Sequence, residues 1–373
     1  MSRLVIFILC SLVFFVGSPN DAKAANPKMT QQQWLMFEEP RFELALTSHS
    51  FSNIVPVSQL FKDEWKEQPQ SRADQAFSQN SMSLAYQAKH YHIGVAKRLD
   101  YFLSTTKQTS DAYYFIEQQQ APHRERFPVS LQMEQLQATG VFGGYTFGDD
   151  QFRVTVDVGL WSLDALRRSR LSGEVELNLN DEINGQLHLD EVYSHNNLLK
   201  RPNNDDWQER GKGVTTDISF FWNPLSPIDL TLSINDLYSK YKVNQLGFSQ
   251  GRVSTDNVYV NDQGYQSFLP LYRGVELEKN VSYQLPKTVL FAAAYQGERF
   301  SYLLNAKVQG DLNFYEFGLS TALGIGNFSV LYDMKYQTPT IMYQTARWDL
   351  LLKANRLNIE QTMQLAIQLA FRW

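Results

Sequence analysis

The 373-residue sequence predicts an all-β protein, an antiparallel transmembrane β-barrel of sixteen strands, with fourteen as the lower count. Three observations carry this. Many segments alternate apolar and polar residues at period two, the strand repeat. Short turn signals separate some of these segments, while much longer connections separate others. The last segment, "MQLAIQLAFRW", is an alternating strand whose apolar face runs to the final residue, Trp373.

The alternation places charges opposite apolar residues on many strands. In "FRVTVDVGL", Phe152, Val154, Val156, Val158 and Leu160 oppose Arg153, Thr155, Asp157 and Gly159. "FSVLYDMKY" sets Phe328, Val330, Tyr332, Met334 and Tyr336 against Asp333 and Lys335, and "RWDLLLKA" sets Trp348, Leu350 and Leu352 against Asp349 and Lys353. "IDLTLSIN" and "VELEKNVSYQL" repeat the arrangement, the second with Lys279 as one mismatch. A soluble sandwich alternates too, but packs its apolar faces into one dry core. A transmembrane barrel points them at lipid and its charges at a wet lumen. Aromatic residues make up 13% of the chain, a content that favours strand and interfacial positions. The negative mean hydropathy does not oppose a barrel, which needs only alternate strand residues to be apolar.

Turn chemistry predicts hairpins at "GDD" (Gly148–Asp150), "NDEIN", "NPLSP" and "LPK". Long connections are expected near 51–80, 102–127, 195–213 and 240–273. Short turns alternating with long loops suit a barrel with one end in the periplasm and the other outside. Six late strands are expected, starting near Thr288, Phe300, Leu312, Phe328, Arg347 and Met363, and Phe127–Leu136 is the place for an additional one.

The N-terminus reads as an export signal. Arg3 precedes an apolar run, Leu4–Val16, of about 13 residues, too short for the ~20 of a membrane helix. Ala22-Lys23-Ala24 then forms a small-residue cleavage pattern. The expected organisation is a signal peptide over 1–24, a short periplasmic lead over 25–40, and one barrel domain over 41–373. Cys10, the only cysteine, falls in the signal, so no disulfide framework is expected. The net charge of −5, with no basic block, makes nucleic acid an unsuitable partner.

On the cleavage pattern and the terminal strand the chain resembles Gram-negative outer-membrane β-barrel proteins as a class. Ile367, Leu369, Phe371 and Trp373 match the alternating apolar positions that end such chains. The resemblance implies residence in the cell outer membrane among its lipid, and reading of this strand by the barrel-assembly machinery.

The expected lumen residues are Arg153, Asp157, Glu174, Glu176, His188, Asp190, Asp217, Asp229, Glu276, Glu278, Asp333, Lys335, Asp349 and Lys353, with Lys307 among the basic ones. Opposed charges around a constriction would sort small solutes by a transverse field. A passive porin-like channel for small polar or amphiphilic solutes is therefore the expected function. A lipid hydrolase or deacylase is the alternative, centred on His49, Ser50 and Ser52 in "TSHSFSN". Barrel hydrolases place a serine two residues after the histidine; here the offsets are one and three, which put both serines on the strand face opposite His49. A structural or export partner in a polysaccharide or pilus pathway is the third reading. No cofactor and no metal site is expected, since metal-ligand spacing and phosphate loops are both lacking; the oxygen-rich stretch Asn203–Asp206 has no calcium-loop spacing.

Overall fold

Period-two segments pair into one antiparallel sheet that closes on itself. The computed structural model describes residues 40–60, 65–118, 125–177, 183–194, 211–225, 227–254, 258–260, 266–268 and 271–373. The expected signal peptide, nearly all of the expected lead and Asn203–Asp206 lie outside the described residues. In chain order the elements are β1 (Arg41–Ser52), β2 (Gln75–Gln87), β3 (Tyr91–Thr105), α1 (Lys107–Gln118), β4 (Glu125–Gly148), β5 (Phe152–Leu177) and β6 (Ile183–Tyr193). They continue with β7 (Gly211–Leu225), β8 (Ile228–Ser254), β9 (Val258–Val260), β10 (Gln266–Phe268), β11 (Leu271–Tyr283) and β12 (Thr288–Gln296). The last are β13 (Ser301–Gln309), β14 (Leu312–Leu323), β15 (Gly326–Asp333), β16 (Thr338–Gln344), β17 (Trp348–Ala354) and β18 (Gln364–Arg372).

Fourteen strands form the ring: β1–β5, β7, β8 and β12–β18. Closure comes from β1 against β18, from Glu43↔Arg372 to Phe51↔Gln364, and from β7 seated between β5 and β8. A closed ring leaves no strand edge, so its backbone groups need neither water nor a further chain as partners. Two more strands, β6 and β11, pair with the far halves of β5 and β8 and extend the wall at the end opposite the termini, here called the distal end. The strands β9 and β10, from "NVYVNDQGYQSF", form a separate two-stranded sheet.

Several local expectations change. "LPK" does not turn a hairpin. β11 and β12 both run antiparallel to β8, one along Tyr241–Ser254 and the other along Ile228–Asn235, as two halves of one descending arm. Pro286 has no N–H for the ladder, so the arm breaks at this link. Lys279, the mismatch in the alternation, marks a register shift before Val281. The region Phe127–Leu136 is no separate strand but the first half of the 24-residue β4. A seventh late strand, β16, was not anticipated because Pro339 stands at its second position, and the strand expected over 328–336 ends at Asp333. The connection 102–127 contains the one α-helix among the described residues.

The short turns "GDD" and "NPLSP" sit at the end that carries Arg41 and Trp373, as do 88–90, 297–300, 324–325 and 345–347. On the outer face, large apolar side chains are exposed all round, among them Leu84, Ile93, Leu160, Phe317 and Leu352. Aromatic rings gather at the terminal end. Trp373 stacks on Phe42 at 5.9 Å and on Phe371 at 5.6 Å. At the distal end the outer face is covered. Ile54, Val55, Trp65 and Ala73 of the β1–β2 loop pack on Ala76 and Leu103, and Ala112 of α1 packs on Phe127, Val129, Val175 and Leu177. By alternation these strand residues face away from the lumen. Gln118 Nε2 donates to the Trp65 carbonyl at 2.6 Å, tying helix to loop as one collar.

Candidate functional site: the barrel lumen

Inward side chains line an open-mouthed cavity of about 380 Å³. One wall is acidic. Arg98 on β3 donates to Asp100 at 2.7 Å and forks onto both oxygens of Asp236 at 3.0 Å each. Its guanidinium also lies 5.5 Å from the centre of the Trp161 ring. Asp236 reaches this position because β8 is irregular there: its φ is 53°, and the β7–β8 register slips between Thr216 and Ile218. Aspartate tolerates this left-handed backbone better than most residues. The Asp236 N–H donates to Asp217 Oδ1 at 2.6 Å, and Asp217 stands directly opposite Asp157, which pairs with His92.

The opposite wall carries the lysines. Lys353 on β17 donates to Glu316 at 2.6 Å and to Asp333 at 3.3 Å, with only 6% of its side chain exposed. Glu316 also accepts from Thr340 at 3.1 Å and Asn305 at 3.3 Å. Lys307 on β13 donates to His49 Nδ1 at 2.8 Å and lies 4.9 Å from the Phe77 ring centre. Beside this wall Ala294, Leu303, Leu331, Met342, Leu351 and Ala366 make an apolar stripe.

Two apolar clusters sit at the distal side of these charges. Leu136, Leu166, Tyr241, Leu246, Tyr283 and Leu285 form one, across β4, β5, β8, β11 and the link from β11 to β12. Phe51, Phe77, Leu312 and Phe314 form the other, across β1, β2 and β14, with Tyr336 against it. Phe102 packs against both, so the two meet and roof the cavity.

The expected lumen residues divide into three groups. Asp157, Asp217 and Lys353 line the cavity, and Asp333 is buried beside Lys353. Arg153 lies 4.4 Å from the Phe221 ring centre, Asp229 accepts from Asn223 and Gln296, and Asp349 pairs with Arg372, all on inward positions near the terminal end. Glu174 and Glu176 stand above the ring and pair with Arg126; His188, Asp190, Glu276 and Glu278 are exposed on β6 and β11, and Lys335 is exposed in the 334–337 turn. Arg98, Asp100, Asp236 and Glu316 were not anticipated. The first two share the inward face of β3 with His92, but Lys97 on the outer face obscures the alternation there.

The hydrolase arrangement does not assemble. His49 bonds to Lys307, Ser50 to Ser78 at 2.8 Å, and Ser52 caps the Ile54 and Val55 N–H groups, so neither serine meets the imidazole. A closed sheet with an apolar belt outside and charges inside decides the class. This is a barrel of the outer-membrane type. Ile367, Leu369 and Phe371 of β18 face outward, while Gln364, Ala366, Gln368, Ala370 and Arg372 face the lumen.

No family model and no curated protein matches this barrel's sequence. Among solved structures it is similar to the Ralstonia pickettii toluene transporter TbuX, at 10% identity over 90% of each chain with a TM-score of 0.43. It is also similar to the P. putida toluene transporter TodX, at 10% identity over 89% of this chain and 88% of that one (TM-score 0.41), and to a Pseudomonas aeruginosa FadL homologue, at 9% identity over 90% and 88% (TM-score 0.39).

Proposed function

We propose that the protein is an outer-membrane channel that passes small amphiphilic solutes. The observation that carries this reading is the apolar roof over a charged cavity. A bare ion or a sugar must shed water to cross such a layer, and apolar constrictions hinder conduction by dewetting. A solute with an apolar body enters that layer readily, and its polar groups then meet the acidic or the basic wall beneath. The apolar stripe beside Lys353 offers the same solute a second surface for its apolar part.

Reconstitution in planar bilayers and liposomes tests this. The native barrel is expected to show small ionic conductance and slow sugar entry, but faster entry of an amphiphile such as phenylacetamide. Phe102→Ala is expected to raise ionic conductance several-fold by opening the junction of the two clusters. A native barrel with large, steady conductance and sugar entry as fast as that of the amphiphile would sink the proposal.

A further inference from the structure

On the outer surface of β7 and β8, three lysines converge. Gly213 and Tyr241 are paired neighbours on the inward face, so the flanking Lys212, Lys240 and Lys242 point outward. Lys212 stands directly across from Lys242, and Lys240 across from Val214. Lys212 and Lys242 are exposed, Lys240 half-buried. Like charges directly opposite on paired strands destabilise a sheet. Among the described residues none of the three makes an ion pair: Ser162 and Ser282 are the cross-strand neighbours of Lys212 and Lys242, and Asp164 on the outer face of β5 bonds to Thr139 at 2.7 Å.

Their height gives the cluster its meaning. Trp222 is at the terminal-end aromatic rim of β7, and Phe220, Ile218, Thr216 and Val214 follow on the same outer face before Lys212. Ten residues at ~3.3 Å each, tilted by about 40°, rise ~25 Å. That is the height of the apolar band of an outer-membrane barrel, ~25 Å. Lys212 and Lys242 therefore stand at the far headgroup level, with Val214 and the exposed Tyr238 below them in reach of acyl chains.

We infer that Lys212, Lys240 and Lys242 form a binding site for a phosphate-bearing lipid headgroup of the outer leaflet. The ammonium groups hold the phosphate, and Val214, Tyr238 and Ile218 take its chains. The inference rests on the outer-membrane reading above, so its test keeps the two apart. Full-length refolded protein in detergent, checked for a heat-modifiable gel shift, is offered bis-phosphorylated lipid A or its dephosphorylated form and analysed by native mass spectrometry. The native barrel is expected to retain the phosphorylated lipid in preference. The triple variant Lys212→Gln/Lys240→Gln/Lys242→Gln is expected to bind it roughly tenfold more weakly or worse. Lys89→Gln, in a terminal-end turn, leaves it unchanged. Equal retention of both lipids, equal binding by the triple variant, or displacement by millimolar inorganic phosphate would overturn the site while the gel shift still supports the barrel. A chain with no gel shift that fractionates as soluble would instead overturn the membrane reading.

Discussion

Lys353 shows how single residues hold the lumen. Its ammonium is shared by Glu316 and Asp333, and both carboxylates are buried on inward positions. Asp333 keeps the N–H groups of Lys335 and Tyr336, each at 3.0 Å, and Glu316 keeps Thr340, but both lose their direct ion pair once the lysine is gone. Lys353→Met is therefore expected to lower stability by about 3–5 kcal/mol, read from urea unfolding followed by tryptophan fluorescence and gel mobility. Adding Glu316→Gln should restore part of that loss, because one uncompensated charge is removed. No recovery in the double variant would mean that the lysine acts by packing alone.

At the scale of elements, the ring depends on close contacts across strand pairs and on which face each residue presents. Tyr241, fully buried, lies against Gly213; a Cβ on that glycine would stand 2.2 Å from Tyr241 Cδ1. Gly213→Val must displace the ring from the roof cluster, and a loss of about 1–3 kcal/mol is expected in the same unfolding assay. In β18 the two faces separate within one residue. Ile367→Arg puts a charge in the lipid belt and should cost ~2–4 kcal/mol, whereas Gln368→Arg enters the wet lumen and should cost far less. Similar losses from both would contradict the assignment of faces.

For the whole molecule, the balance of lumen charges would set the selectivity of the proposed channel. The cavity is lined by three basic residues, Arg98, Lys307 and Lys353, and by five acidic ones, Asp100, Asp157, Asp217, Asp236 and Glu316. Whatever ionic current the roof admits is expected to prefer cations, with a reversal potential that moves toward zero in Asp157→Asn/Asp217→Asn. The preference should shrink as salt rises, since screening shortens the reach of these charges. An anion-selective current would contradict this charge count. The collar of α1 and the β1–β2 loop adds a constraint on position. It covers the outer face at the distal ends of β2–β5, so that part of the barrel stands where lipid contact has ended.

The fold class was legible because a barrel writes its two solvents into alternate residues. Phe152 to Leu160, Trp348 to Leu352 and Met363 to Trp373 state which residues share a face, the export signal and the apolar terminal strand point that face at lipid, and "GDD" and "NPLSP" state where neighbouring strands turn. Asp157, Asp217 and Lys353 came out of the same alternation. What period two does not contain is any step that breaks it. The irregularity that turns Asp236 inward, the interruption at Pro286 that splits one arm into β11 and β12, and the meeting of two apolar clusters at Phe102 all depend on strands distant in sequence. Sequence alone thus determined a barrel and the sides of its wall, because side-chain alternation is local. The tertiary structure alone decided the shape and closure of the lumen, because register shifts and cross-barrel packing are settled only when all the strands are in place.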